Sequence, residues 1–118
     1  MNAGRQTSTG SNNTFMGFSA GYFNQTGEDN VFLGMNAGRT NNSGVDNVFV
    51  GVDAGTENIT GHANTFVGNN AGYVNTSGGD NTFIGAQTGL DNTTGIENTF
   101  VGTNAGYNNL SANHNTAI

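Results

Sequence analysis

Apolar residues recur along this chain inside short segments that alternate in polarity and end at a glycine. Each segment reads Asn, then Thr or Val, then Phe, then an aliphatic residue or Met, then Gly. Alternation of this kind over three or four residues predicts a short β-strand that ends in a turn. Two or three further glycines follow in most copies, and glycine is too costly in helix interiors for a helical alternative.

The segments repeat with a constant period of 17 residues and without insertion. We number the positions of each copy 1 to 17 from the Asn that opens it. The chain is predicted to be a single repeat domain, residues 1–118. It comprises a partial copy at 1–12, full copies at 13–29, 30–46, 47–63, 64–80, 81–97 and 98–114, and a partial copy at 115–118.

A short repeat that cannot fold alone is the signature of a solenoid whose successive coils stack as parallel strands. We therefore predict an all-β parallel β-solenoid, or β-roll, of about seven coils. At the spacing of paired strands the rod would be about 33 Å long. A second extended segment is expected near positions 9–12, closed by a turn in which the late glycine, at position 15, adopts a positive φ.

Stacking places equivalent residues above one another, so three columns are expected to form the interior. The Phe column supplies most of the apolar core and comprises Phe15, Phe32, Phe49, Phe66, Phe83 and Phe100. Asn side chains can pass hydrogen bonds from coil to coil, because each amide both donates and accepts. The first Asn column comprises Asn13, Asn30, Asn47, Asn64, Asn81 and Asn98, and the second comprises Asn24, Asn41, Asn58, Asn75, Asn92 and Asn109.

The residue after Phe points away from the interior if Phe points into it, since side chains alternate along a strand. These outward residues are nevertheless apolar and form the apolar stripe: Met16, Leu33, Val50, Val67, Ile84 and Val101. Exposed apolar surface of this extent is unusual on a monomer. We expect the stripe to be buried in a homo-oligomer, specifically a homotrimer; the alternative is a flattened coil whose second segment folds back over it.

Composition restricts the partners. With two Lys and Arg against eight Asp and Glu, the net charge of −6 leaves little to neutralise phosphates, so we expect no nucleic-acid partner. No apolar run approaches the roughly 20 residues of a spanning helix, so no membrane insertion is expected. The absence of Cys excludes a disulfide framework.

Candidate chemistry is sparse, and the sequence predicts no enzyme, no cofactor and no metal site. His62 and His114 occupy different repeat positions, and no acid pair stands apart from its repeat equivalents. Acids recur at position 17 and are interpreted as a solvated edge in preference to a calcium site: Asp29, Asp46, Asp80 and Glu97. An Asn-x-Ser/Thr sequon recurs at position 12 of every full copy, which we interpret as a turn motif in preference to a glycosylation site.

The Asn-Thr-Phe-Val-Gly-x-x-Ala-Gly pattern resembles the head repeats of trimeric autotransporter adhesins. It also resembles the Asn-Thr-Phe-hydrophobic-Gly repeats of bacterial and phage tail fibres that precede a self-cleaving chaperone domain. The resemblance covers the whole chain and implies a parallel β-roll trimer, extracellular, on a cell surface or a virion. It further implies a structural or adhesive role, with a cell-surface receptor or glycan as partner.

Two alternatives stay open: a self-assembling filament subunit and an ice-binding solenoid, the latter suggested by the recurrent Thr at position 2. The chain begins at position 6 and stops at position 4, which is expected for a piece of a longer fibre or for end-to-end assembly of copies. Position 10 offers receptor-contact candidates in Tyr22, Arg39, Tyr73 and Tyr107.

Overall fold

A computed structural model describes residues 2–118; Met1, the first residue of the leading partial copy, lies outside the described residues. The fold is an all-β parallel solenoid, as predicted, and the described chain contains seven strands. They are β1 (Thr14–Met16), β2 (Val31–Leu33), β3 (Val48–Val50), β4 (Thr65–Val67), β5 (Thr82–Ile84), β6 (Thr99–Val101) and β7 (Thr116–Ala117).

The strands form one parallel sheet in chain order, with each strand bonded to the next. The register is set by the repeat, so Phe32 pairs with Phe49 and Phe49 pairs with Phe66. The resulting rod measures 36 × 20 × 17 Å, close to the length expected from the stacking distance. One copy of the sequence is therefore one coil of the solenoid.

The second extended segment is not observed, and that prediction was wrong. Positions 6–11 form turns, and left-handed residues such as Asn36 (φ 56°) and Gly38 (φ 56°) prevent an extended backbone. The turns still bond between coils: Gly38 N donates to Ala54 O at 2.9 Å, and Thr40 N donates to Thr56 O at 3.0 Å. Coils are thus joined around most of their circumference, although only one side is a sheet.

Glycines serve two different purposes in each coil. At position 9, Gly72 has φ 58° and packs so closely on Phe66 that a Cβ would overlap the ring. The late glycine at position 15 does not have a positive φ, which corrects the expectation from sequence. It is needed for space, because a Cβ at Gly61 would lie against Asn58 Oδ1 and 2.5 Å from the carbonyl oxygen of Gly78 in the next coil.

The apolar interior is a single stack of aromatic rings. Phe49 and Phe66 have ring centroids 4.8 Å apart and planes 6° from parallel. Alanines at position 8, such as Ala54 and Ala71, are fully buried in the same core. Where Thr88 replaces Ala at this position, its buried hydroxyl donates to Gly102 O at 2.7 Å, so the polar group is satisfied.

Candidate functional site

The first Asn column runs through the interior beside the sheet and forms the asparagine ladder that the sequence predicted. Asn47 Nδ2 donates to Asn30 Oδ1 at 3.1 Å and to Gly61 O at 2.8 Å, and its backbone N donates to Asn30 Oδ1 at 3.0 Å. Its own Oδ1 accepts from the backbone N of Asn64 at 3.1 Å and from Asn64 Nδ2 at 3.2 Å. Every hydrogen-bonding site of the Asn47 amide is therefore used.

The second Asn column lies on the turn side of each coil, at position 12, directly after the turn of positions 6–11. Asn58 Nδ2 donates to Asn41 Oδ1 at 2.6 Å and to Gly61 O at 3.1 Å, and Asn58 Oδ1 accepts from Asn75 at 2.9 Å. The Gly61 carbonyl thus accepts from both Asn47 and Asn58, one from each column. This shared acceptor places the two Asn columns next to each other and joins the strand side of a coil to its turn side.

Burial leaves these amides unavailable for chemistry outside the rod. In residues 2–118 no buried side-chain nitrogen or oxygen lacks a partner. Asn41, Asn58 and Asn75 are 0% exposed, although each opens a formal Asn-x-Ser/Thr sequon. In the folded rod the Nδ2 atom that a glycan would modify is enclosed and already donates two hydrogen bonds, so the two Asn columns hold the fold together and present no site.

The apolar stripe faces outward, as alternation along each strand requires. In β2, β3 and β4 the central Phe is buried and both flanking residues are half-buried. Met16 is 67% exposed and Ile84 is 41% exposed, while the stripe residues Leu33, Val50, Val67 and Val101 are half-buried by their neighbours in the stack. No part of residues 2–118 folds back over the stripe, so the flattened-coil alternative does not describe this chain.

A second apolar column, which the sequence reasoning missed, lies beside part of the stripe at position 6. Phe18, Met35 and Val52 are all exposed there, whereas Asn69 and Thr103 occupy the same position further along. The chain bends at the position 5 glycine between the two columns. Reading position 6 down the repeats would have found this column, but among the full copies its large apolar residues are confined to three, since the copy 81–97 has only Ala86 there.

The acids at position 17 have a conformational explanation in place of a ligand-binding one. Asp29, Asp46 and Asp80 adopt φ of 55°, 57° and 57°, in the left-handed region that Asp and Asn tolerate best among residues with a side chain. Ala63 has φ 53° at the same position. A requirement for the left-handed conformation therefore accounts for the recurrence of Asp without any bound cation.

The titratable groups of the described chain do not form a reactive cluster. His114 Nδ1 lies 2.8 Å from Glu97 Oε2, and His62 Nε2 lies 3.8 Å from Asp80 Oδ2; all four side chains are more than half exposed. Exposed pairs of this kind contribute little to stability. Residues 2–118 hold no group of three or more His, Cys, Asp or Glu placed to bind a metal. They also contain no helix long and apolar enough to cross a bilayer.

Position 10 projects side chains from the turn side of the rod. Tyr22 packs edge-on against Phe23 with ring centroids 4.6 Å apart, and Arg39 lies over the Phe23 ring at 5.4 Å. Arg5 Nη1 donates to Tyr22 Oη at 3.3 Å. Tyr73 and Tyr107 occupy the same position in later coils, without a cation beside them. The structure thus brings Tyr22 and Arg39 together and leaves the other two candidates apart.

Comparisons of the chain with protein-family models, with curated proteins and with solved structures find no match. The functional argument therefore depends on the geometry of the rod and its outward columns.

Proposed function

We propose that this chain is a structural and adhesive segment of an extracellular fibre on a cell surface or virion, without catalytic activity. The observation that carries the proposal is the apolar stripe, which runs the length of a rod whose interior polar groups are satisfied. A rod of this construction is suited to serve as a stiff spacer in a fibre, because each coil forms hydrogen bonds with the next around most of its circumference. The resemblance to adhesin-head and tail-fibre repeats supports the same role.

The stripe favours self-association along the rod. In a cyclic assembly whose axis is parallel to the rod, each stripe residue meets its equivalent at the same level. We propose three chains, the number that the resemblance to trimeric adhesin heads implies; the stripe is flanked by two outward columns that differ, position 2 on one side and position 6 on the other. In a trimer each chain presents one of these flanks to each of its two neighbours, with the stripe at the axis.

The mass of the purified chain in solution tests the proposal. Sedimentation equilibrium should give three times the 12.1 kDa of one chain. Changing Val50→Asp and Val67→Asp together should reduce the mass to that of one chain, because clustered carboxylates would be desolvated at the axis. The far-ultraviolet circular dichroism spectrum should be retained.

Ile59→Asp with Leu110→Asp provides the matched control, since both residues are exposed and apolar but lie at position 13, away from the stripe. This control should keep the trimer mass. A wild-type chain that sediments as a monomer, or a Val50 and Val67 variant that stays trimeric, would show that the stripe is not the interface.

A filament subunit is the second candidate, and the polarity of the Asn columns favours it. Each amide-to-amide bond of both columns runs from an Nδ2 donor to the Oδ1 acceptor of the preceding coil. A further coil at either end of the rod, from the same polypeptide or another copy, can continue these bonds only in the same orientation. Polar, head-to-tail filaments whose length increases with protein concentration in electron micrographs would support this candidate over a closed trimer.

A further inference from the structure

The two cations of the chain lie on the same face, at the same repeat position. Arg5 and Arg39 both occupy position 10, two coils apart, in a protein with a net charge of −6. At the spacing of stacked coils their Cα atoms are separated by roughly 10 Å. The coil between them carries Tyr22 and Phe23 at positions 10 and 11, so one aromatic pair lies between two guanidinium groups.

The contacts show both Arg side chains converging on this pair. Arg5 approaches from the preceding coil and donates to Tyr22 Oη at 3.3 Å. Arg39 approaches from the following coil and lies 5.4 Å from the centre of the Phe23 ring. The aromatic pair is itself fixed by its edge-on packing at 4.6 Å. The four side chains therefore form one cluster, which we call the Arg-aromatic cluster.

The guanidinium groups retain most of their hydrogen-bonding capacity. Within residues 2–118 neither Arg5 nor Arg39 forms a salt bridge with a carboxylate; the ion pairs of that part of the chain involve histidines. A guanidinium has five N–H donors in a planar fork that matches a carboxylate. Positions 10 and 11 carry no acidic residue in the three coils that contain Arg5, Tyr22 and Arg39. The first acidic residue at these positions is Glu57, in the coil that follows Arg39. The cluster is a local positive region on an acidic rod.

We propose that the Arg-aromatic cluster binds an acidic saccharide, a pyranose ring that bears a carboxylate. The carboxylate would pair with the guanidinium fork of Arg5, which lies beside the Tyr22 hydroxyl, and the apolar face of the sugar would lie on the Tyr22 ring. Arg39, on the other side of the aromatic pair, would donate to the sugar hydroxyls. Gln6 and Thr40, at position 11 of the flanking coils, supply polar groups for sugar hydroxyls. This assignment rests on the proposed adhesive function and specifies the ligand class it would use.

The small extent of the cluster favours a short saccharide over an extended acidic peptide. Its two Arg Cα atoms are roughly 10 Å apart, and the next coil carries Glu57 at position 11, which would repel an acidic peptide that continued along this face. Affinity at one such site is expected in the millimolar range, and repetition of the site in an assembly would raise the overall affinity without new contacts.

Titration of the 118-residue chain with methyl glucuronide, followed by ¹H–¹⁵N correlation spectra, tests the proposal. The amide signals of Tyr22 and Phe23 should shift on titration. Methyl glucoside lacks the charge and sodium acetate lacks the ring; each should bind about tenfold more weakly than the glucuronide. A tetraglutamate peptide tests the alternative of a protein partner. Equal binding of acetate, glucoside or the peptide would overturn the assignment.

Variants assign the binding to named side chains. Arg5→Gln with Arg39→Gln should weaken glucuronide binding about tenfold or more, and Tyr22→Ala should weaken it similarly. Tyr73→Ala is the matched control, because Tyr73 occupies the same position without a neighbouring cation, and it should bind as the wild type does. If the double variant fails to fold, Arg5→Gln alone serves, since Arg5 is exposed. Unchanged binding in a folded Arg variant would overturn the proposal.

The result separates this proposal from the proposed fibre role. The titration is read on the cluster of a single chain, so it is independent of the mass in solution. A trimer that binds no glucuronide would retain the fibre role and remove the saccharide site. A monomer that binds glucuronide through Arg5 and Arg39 would retain the saccharide site and remove the trimeric fibre role.

Discussion

The coil of residues 64–80, in the middle of the rod, and the coil of residues 98–114 carry nearly the same interior residues in different environments. On the strand side the two are alike: Phe66 is 0% exposed and Phe100 is 2% exposed. On the turn side they differ, since Asn75 is buried and Asn109 is half-buried. The last four residues cover the strand side of coil 98–114 and leave its turn side uncovered.

This comparison shows that a single coil does not bury its own interior side chains. Each interior position is enclosed by the same position of the neighbouring coils, one column at a time. The stability of such a rod is approximately a sum of coil terms and nearest-neighbour terms. The same substitution should therefore have a different cost at a covered and at an uncovered copy of one repeat position.

The largest expected difference concerns the Phe column. Phe66→Ala should lower the free energy of unfolding by about 3–5 kcal/mol, the range for removal of a fully buried aromatic ring. Phe15 is only half-buried and stacks on a single neighbour, Phe32, at 5.1 Å. We expect Phe15→Ala to cost about half as much, because the removed ring had fewer contacts. Urea denaturation measures both, and equal costs would contradict the nearest-neighbour interpretation.

The second Asn column provides the next test. Asn75 Nδ2 donates to Asn58 Oδ1 and to Gly78 O, and its Oδ1 accepts from Asn92, all in a buried environment. Asn75→Ala should destabilise by about 2–4 kcal/mol, because it leaves buried partners unsatisfied. Asn109→Ala, where water can replace the lost partners, should cost less than about 1 kcal/mol. The comparison fails if the two values agree within error.

The late glycine should show the same dependence on a covering coil. A Cβ at Gly78 would lie against Asn75 Oδ1 and 2.5 Å from Gly95 O. We expect Gly78→Ala to destabilise by about 1–3 kcal/mol through overpacking. At the same position the last full coil already has Ala112, which is exposed, so Ala112→Gly should change stability by less than about 0.5 kcal/mol. A neutral Gly78→Ala would mean that adjacent coils can separate locally.

The smallest effect is a stabilisation. Ala63 adopts φ 53° at a position where other coils have Asp, Asn, Glu or His. Ala63→Asn should raise the free energy of unfolding by about 0.5–1 kcal/mol, since Asn enters the left-handed region at lower cost. Ala86→Asn is the control, because Ala86 does not have a positive φ, and it should bring no gain. Differential scanning calorimetry would detect both changes.

The sequence predicted those parts of the fold that depend on periodicity. Constant spacing fixed the coil length, and alternation around Phe49 placed the ring inside and Val50 outside. It did not predict the turn at positions 6–11, although Asn or Asp at position 7 in four of the six full copies is a local signal for left-handed backbone; Ser19 and Gln87 adopt the same conformation without that signal. The sequence also assigned the late glycine a conformational role. In the structure, a carbonyl oxygen of the next coil leaves no room for a Cβ at this position, and that contact cannot be seen in a single repeat.

The candidate sites divide in the same way. The stripe could be found from one strand, because it is a property of each repeat. The Arg-aromatic cluster depends on non-repeating residues in three successive coils, and Arg5 and Phe23 are prominent only when positions 10 and 11 are compared between copies. Sites that are present in every repeat can be predicted from the consensus sequence. Sites formed by residues that depart from the consensus can be found only from the contacts between stacked coils.

Burial of the second Asn column has a consequence for how the chain can be made. In a cell that attaches glycans to Asn-x-Ser/Thr, the transferase can reach Asn58 only before its coil is covered, since the folded residue is 0% exposed. A glycan attached at that moment cannot be accommodated between Asn41 and Asn75, so modification and folding compete for the same side chain. Production in a glycosylating secretory pathway should therefore divide the chains into unmodified folded rods and modified chains that do not fold.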